Sequence, residues 1–151
     1  MLLISNDIQH GQPIHRKFTC DGESYSPHLA WSDVPEGTAA FVLALHDPHP
    51  SHAKGFVHWL VLNIPETVRE IRSSVDSDQP IPGTPAWNGT GQPGYIGPCP
   101  PTETHDYNFH LYALKQPLNL DGTATYEQVL QAIDGQILAH ATLTGTFQRQ
   151  A

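Results

Sequence analysis

Two segments restrict this chain more than any others: Phe41-Val42-Leu43-Ala44-Leu45-His46-Asp47 and Phe56-Val57-His58-Trp59-Leu60-Val61-Leu62-Asn63-Ile64. Along an extended backbone, successive side chains point to opposite faces. Both segments are apolar on both alternations, so each predicts a strand covered on its two sides. Pro48 and Pro65 stop them, because proline gives no donor to a strand ladder. In the second, strict alternation puts Phe56, His58, Leu60 and Leu62 on one side.

A third strand is predicted over 107–114, with Tyr107, Phe109, Leu111 and Ala113 on one face, and a closing β segment over 141–147. His28-Leu29-Ala30-Trp31 reads as a short strand within a loop-rich N-terminal third. One helix is expected after Thr125, which with Gln128 forms a capping box. Tyr126, Val129, Leu130 and Ile133 make its apolar stripe, and Gly135 stands where a C-terminal cap belongs. Fourteen prolines and twelve glycines in 151 residues demand many turns and short elements. The expectation is a mainly β, two-sheet antiparallel sandwich with one or two peripheral helices, built as a single domain over 1–151.

Charge and motifs exclude several functions. The net charge is −8 with seven Lys and Arg spread thinly, so no basic surface exists for a nucleic-acid backbone. No window approaches the roughly 20 apolar residues of a membrane span, and no membrane insertion is expected. The start shows neither a basic region nor a long apolar one, so no signal peptide is read. Cys20 and Cys99 are accordingly expected as reduced thiols in a cytoplasmic protein. The chain lacks G-x-S-x-G, a P-loop and G-x-G-x-x-G. Cys99 has no basic neighbour or helix N-terminus to activate it as a nucleophile. His46, His49, His52 and His58 have no standard ligand spacing, so no metal and no cofactor are expected.

The polar groups that remain gather at strand ends. Residues 72–101 form a long Gly-, Pro- and Ser-rich stretch, and loops of that length are commonly functional. It ends in GYIGPCPP, followed by His105-Asp106-Tyr107. Asp47 ends the first strand and can accept from His58 or His105, which would favour imidazolium and set the tautomer. His58 taken alone equally suits a core histidine satisfied by a carbonyl. Gly97 would allow close approach to a ligand, and Pro98, Pro100 and Pro101 would stiffen the rim. The amides of Ile96, Gly97 and Cys99 are then candidates to face an anion.

The stretches CDGESYSPHLAWSDVPEGT, FVLALHDPHPS, GFVHWLVLNIP, GYIGPCPPTETHDYNFHLYAL and DGQILAHATLTGTF together resemble the phosphatidylethanolamine-binding protein family. The resemblance is to its bacterial and archaeal Raf-kinase-inhibitor-like branch and runs from about residue 15 to 148. It implies a two-sheet sandwich with a small anion pocket at one end, and no catalytic residues. Carried over by position, the ligand-binding residues would be Asp47, His58, Gly97, Pro98, His105 and Tyr107. The family's usual Asp-Pro-Asp-Ala-Pro reads here Asp47-Pro48-His49-Pro50-Ser51, and its His-Arg-Tyr reads His105-Asp106-Tyr107. A reversed ion pair between His49 and Asp106 is therefore expected.

The resulting expectation is a non-catalytic binding module for a small anion or a phosphorylated small molecule. The alternative is an inhibitor of a serine protease or kinase that acts through the exposed 72–101 loop. An exposed Trp87 would suit a homodimer contact.

Overall fold

The computed structural model describes residues 1–51, 54–101 and 103–149. His52, one of the histidines weighed above for a metal, lies outside the described residues. Each of the two doubly apolar segments forms a central strand. These are β3 (Ala40–Asp47) and β4 (Phe56–Pro65), reached after β1 (Leu2–Ile4) and β2 (Leu29–Ser32). The chain continues through β5 (Glu70–Ile71), β6 (Thr84–Pro85), β7 (His105–Leu114), α1 (Tyr126–Ile133) and β8 (Ile137–Phe147). A five-stranded sheet runs β6-β4-β3-β7-β8 and a three-stranded sheet β1-β2-β5, with every pairing antiparallel.

The large sheet is covered on both faces, as β3 and β4 require. On its inner face Phe41, Leu43, Leu45, Trp59, Val61, Phe109 and Leu111 meet Leu3, Leu29, Trp31 and Ile71 of the small sheet. On its outer face Val42, Ala44, Leu60, Leu62, Tyr112 and Leu114 are capped by Val129 and Ile133 of α1, with Leu118 and Ala124. Eight residues of β3 and β4 from this list are wholly inaccessible to water. At about 25 cal/mol per Å² of apolar surface removed from water, such burial is the main stabilising contribution.

The helix keeps its expected cap: Thr125 accepts from the Gln128 amide, and the Gln128 side chain accepts from the Thr125 amide. Gly135 follows at φ 78°, the left-handed conformation that ends a helix without a Cβ penalty. The stripe differs from expectation in one place. Val129 and Ile133 are buried, whereas Leu130 is 43% exposed, because the eight-residue helix rests on the sheet along a narrower face.

β4 departs from strict alternation. Leu45 pairs with Trp59 but His46 pairs with Val57, so His58 is the extra residue of a β-bulge. The bulge turns His58 away from Leu60 and Leu62, which stay on the outer face. A second irregularity lies between the pairs Phe41–Ile64 and Leu43–Val61. There Asn63 takes a positive φ of 51° and exchanges two hydrogen bonds with the backbone of Leu118. β1, β5 and β6 carry too little pattern to be read from sequence, and the first two are needed to build the small sheet.

The cysteines are a correction. Cys20 and Cys99 are joined in a disulfide rather than held as free thiols. Their 79-residue separation hid the pairing, since only the fold brings the two segments together. Reduced thiols were expected from the cytoplasmic location that the lack of an export signal suggested, and a disulfide is the state that oxidising compartments favour. No helix among the described residues is long and apolar enough to cross a membrane.

Candidate functional site

Antiparallel pairing brings the C-terminal end of β3 beside the first residues of β4 and β7. Asp47 lies opposite Phe56, and β7 begins with His105. At that corner a cavity of about 190 Å³ opens, bordered by Asp47, His58, Gly97, Pro101, His105 and Tyr107 among others. Five of the six expected positions therefore meet in one cavity. Pro98 does not border it; its carbonyl instead accepts from the Cys20 amide at 3.1 Å.

Asp47 uses both carboxylate oxygens. Oδ1 accepts from the His49 amide two residues on, at 2.9 Å, a local turn that suits the Asp47-Pro48 step. Oδ2 accepts from His105 Nδ1 at 2.6 Å, with the two side chains only 5% and 3% exposed. Of the two histidines that could have met Asp47, the structure selects His105. A buried carboxylate against an imidazole is the ion-pair partner of the protonated ring, and fixes the Nδ1–H tautomer of the neutral one.

His58 is held by the loop. Its Nδ1 lies 3.0 Å from the Ile96 carbonyl, which can only accept, so Nδ1 carries the proton. The Ile96 amide donates back to the His58 carbonyl at 2.8 Å. That bond removes Ile96 from the three amides expected to face an anion. The His58 ring packs edge-on against Tyr107 at 5.3 Å and against Phe56 at 4.9 Å. Burial, and then the charge of Asp47, push the Tyr107 hydroxyl well above its ordinary range, so it stays protonated as a donor.

The 95–99 wall is sewn to the segment at 18–24. Tyr95 donates to the Phe18 carbonyl at 2.6 Å, Cys20 donates to Pro98, and the disulfide follows at Cys99. A Cβ on Gly97 would stand 2.8 Å from the Thr19 carbonyl carbon and 2.6 Å from Ser24 Oγ. The glycine is thus required by chain-to-chain packing, not only by the approach of a ligand.

His49 was missed as part of this site. Its ring stacks on His105 at 3.8 Å between centroids and 8° between planes. Its Nε2 lies 3.0 Å from Glu103 Oε2. The expected partner Asp106 is instead on the exposed side of β7, opposite Thr146. Alternation explains the error: His105 and Tyr107 face inward, so Asp106 between them must face out. Among the described residues no cluster of three His, Cys, Asp or Glu side chains could hold a metal ion.

The family model for phosphatidylethanolamine-binding proteins matches residues 4–148. The chain belongs to the phosphatidylethanolamine-binding protein family. A UPF0098 protein of Methanothermobacter thermautotrophicus is 38% identical over 138 residues, covering 90% of this chain and 91% of that protein. A protein of Mycobacterium tuberculosis named as a lipoprotein, LppC, is 39% identical over 91% of this chain and 67% of its own length. Among solved structures, a phosphatidylethanolamine-binding protein homolog of Chlamydia trachomatis superposes with a TM-score of 0.90. Its identity is 36%, covering 99% of this chain and 97% of that one. Escherichia coli YbcL, described as a member of the mammalian family, also gives 0.90 at 29% identity, over 99% and 98% of the two chains. The two-sheet β fold, with one α-helix among the described residues, is thus shared with these family members over nearly the whole chain.

Proposed function

We propose that the cavity at the β3–β4–β7 corner binds a small anion, either phosphate or the phosphate of a phosphorylated headgroup, without converting it chemically. The observation that carries this reading is the buried Asp47–His105 pair facing the same cavity as His58. Protonation of both rings against one carboxylate gives a local charge of plus one, with each ring a donor at its Nε2. An anion would be bound together with protons, despite the net −8 of the chain. At about 190 Å³ the cavity is below the 300–1,000 Å³ typical of drug-sized ligands, which suits a headgroup and not a whole lipid. The membership of the phosphatidylethanolamine-binding family supports the same ligand class.

Titration calorimetry with inorganic phosphate and phosphoethanolamine tests the reading between about pH 5.5 and 7.5, where imidazole changes charge. Saturable binding that tightens as pH falls is expected. Replacement of His58 by Ala or of His105 by Gln should abolish it. No heat with either ligand across this range would overturn the proposal.

A further inference from the structure

The outer face of the large sheet carries a second histidine cluster, which plays no part in the cavity. His110 on β7 pairs with Thr142 on β8, and Tyr112 pairs with His140, so the two imidazoles lie on a diagonal. His110 Nδ1 and His140 Nε2 are 2.9 Å apart. Thr142 Oγ1 is 3.4 Å from each of them. The Tyr112 ring lies under both imidazoles, at 4.4 Å from His140 and 6.0 Å from His110, within 20° of parallel. Tyr112 is itself held by a 2.9 Å bond to the Tyr126 hydroxyl of α1. Two ring nitrogens are thus hydrogen-bonded to each other and held 2.9 Å apart by an aromatic support on the protein surface.

We propose that His110 Nδ1 and His140 Nε2 form a two-imidazole site for a divalent transition metal ion of tetragonal preference, copper(II) or nickel(II). Metal–imidazole bonds of about 2.0–2.1 Å put two adjacent ligands at about 2.8–3.0 Å from each other when they meet at a right angle. A tetrahedral angle would need about 3.3–3.4 Å on the same bond lengths. The observed 2.9 Å fits the right-angled case, which tetragonal copper and nickel adopt and structural zinc does not. Water fills the remaining positions, and the Thr142 hydroxyl is placed to bond one such water. His46 is turned elsewhere, with its Nε2 donating to the Lys54 carbonyl at 3.0 Å.

The proton balance is simple. In the metal-free pair one facing nitrogen carries a proton and the other accepts it. On binding, that proton moves to the outer nitrogen of the same ring, and both rings coordinate as neutral imidazoles with no net proton released.

Copper(II) chloride titrated into the full chain tests the site by calorimetry and by electron paramagnetic resonance. One equivalent should bind, with a tetragonal spectrum coupled to two imidazole nitrogens. His140→Asn and His110→Asn should each weaken this event at least tenfold, while His15→Ala, at an exposed histidine outside both clusters, leaves it unchanged. Zinc should bind more weakly than copper, by the Irving–Williams order and by geometry. Because His140 is exposed, its variant decides the matter if His110→Asn fails to fold. Copper isotherms and spectra unchanged in His140→Asn would overturn the proposal, as would the absence of saturable binding by the parent.

Discussion

Strand β7 carries two histidines five positions apart that face opposite sides of one sheet, and their surroundings divide their chemistry. His105 points inward, meets the carboxylate of Asp47 at 2.6 Å and is nearly sealed from water. His110 points outward and meets another histidine at 2.9 Å. The first has an anionic partner, so a charge on its ring is compensated. The second is held neutral first by burial and then by the like charges of His140 and His46. One strand thus supplies a histidine paired with a carboxylate on one face and a histidine paired with a histidine on the other. Residue type alone does not separate them; the partner does.

The largest effect is expected from removing the partner on the inner side. Asp47→Ala leaves a buried imidazole facing no carboxylate and breaks the turn at His49. Loss of about 3–5 kcal/mol in urea unfolding is expected, as for other buried pairs broken on one side. A loss below about 1 kcal/mol would show that the inner pair is not the structural counterpart of its geometry. The outer His110–His140 pair should be unaffected, which copper titration of the same variant checks.

Next in size is the disulfide behind the inner wall. Cys20→Ser with Cys99→Ser should lower stability by about 2–4 kcal/mol and weaken phosphate binding, because the loop at 95–99 then keeps only its hydrogen bonds to the 18–24 segment. Equal phosphate affinity with and without the bridge would mean that those bonds suffice to hold the wall.

A smaller effect should come from the outer pair through pH. The folded metal-free protein holds His110 at about 4, against an ordinary 6.5. Between those values the unfolded chain takes up a proton that the folded one refuses. Stability must therefore fall as pH drops from about 6.5 towards about 4, and this contribution levels off below. His110→Gln should flatten that part of the stability profile measured by thermal melting; an unchanged slope would remove His110 from the account.

The smallest effect belongs to the rim. Glu103 is 70% exposed, so Glu103→Gln should change stability by less than about 1 kcal/mol. Asp106→Ala should change it no more than any surface substitution does. A larger loss from Asp106→Ala than from Glu103→Gln would reverse the assignment of the partner of His49.

Much of this molecule is legible in short windows of sequence. The double apolar alternation of β3 and β4 required cover on both faces, and a small sheet and a helix provide it. The Thr125–Gln128 cap is a four-residue pattern and was readable for that reason. The polar residues at strand ends likewise pointed to one corner, although only resemblance grouped them before the fold did.

What tertiary structure decided depends on residues far apart in sequence. The bulge at His58 arises from register against β3, and it reverses the side on which strict alternation placed the ring. The choice of His105 as the partner of Asp47 spans 58 positions, and the Cys20–Cys99 bridge spans 79. The pairing of His49 with Glu103 rather than Asp106 follows from which side of β7 each acid occupies. Local sequence sets which backbone states are cheap and which side chains must leave water. Which two polar groups then share one buried corner depends on how the strands align.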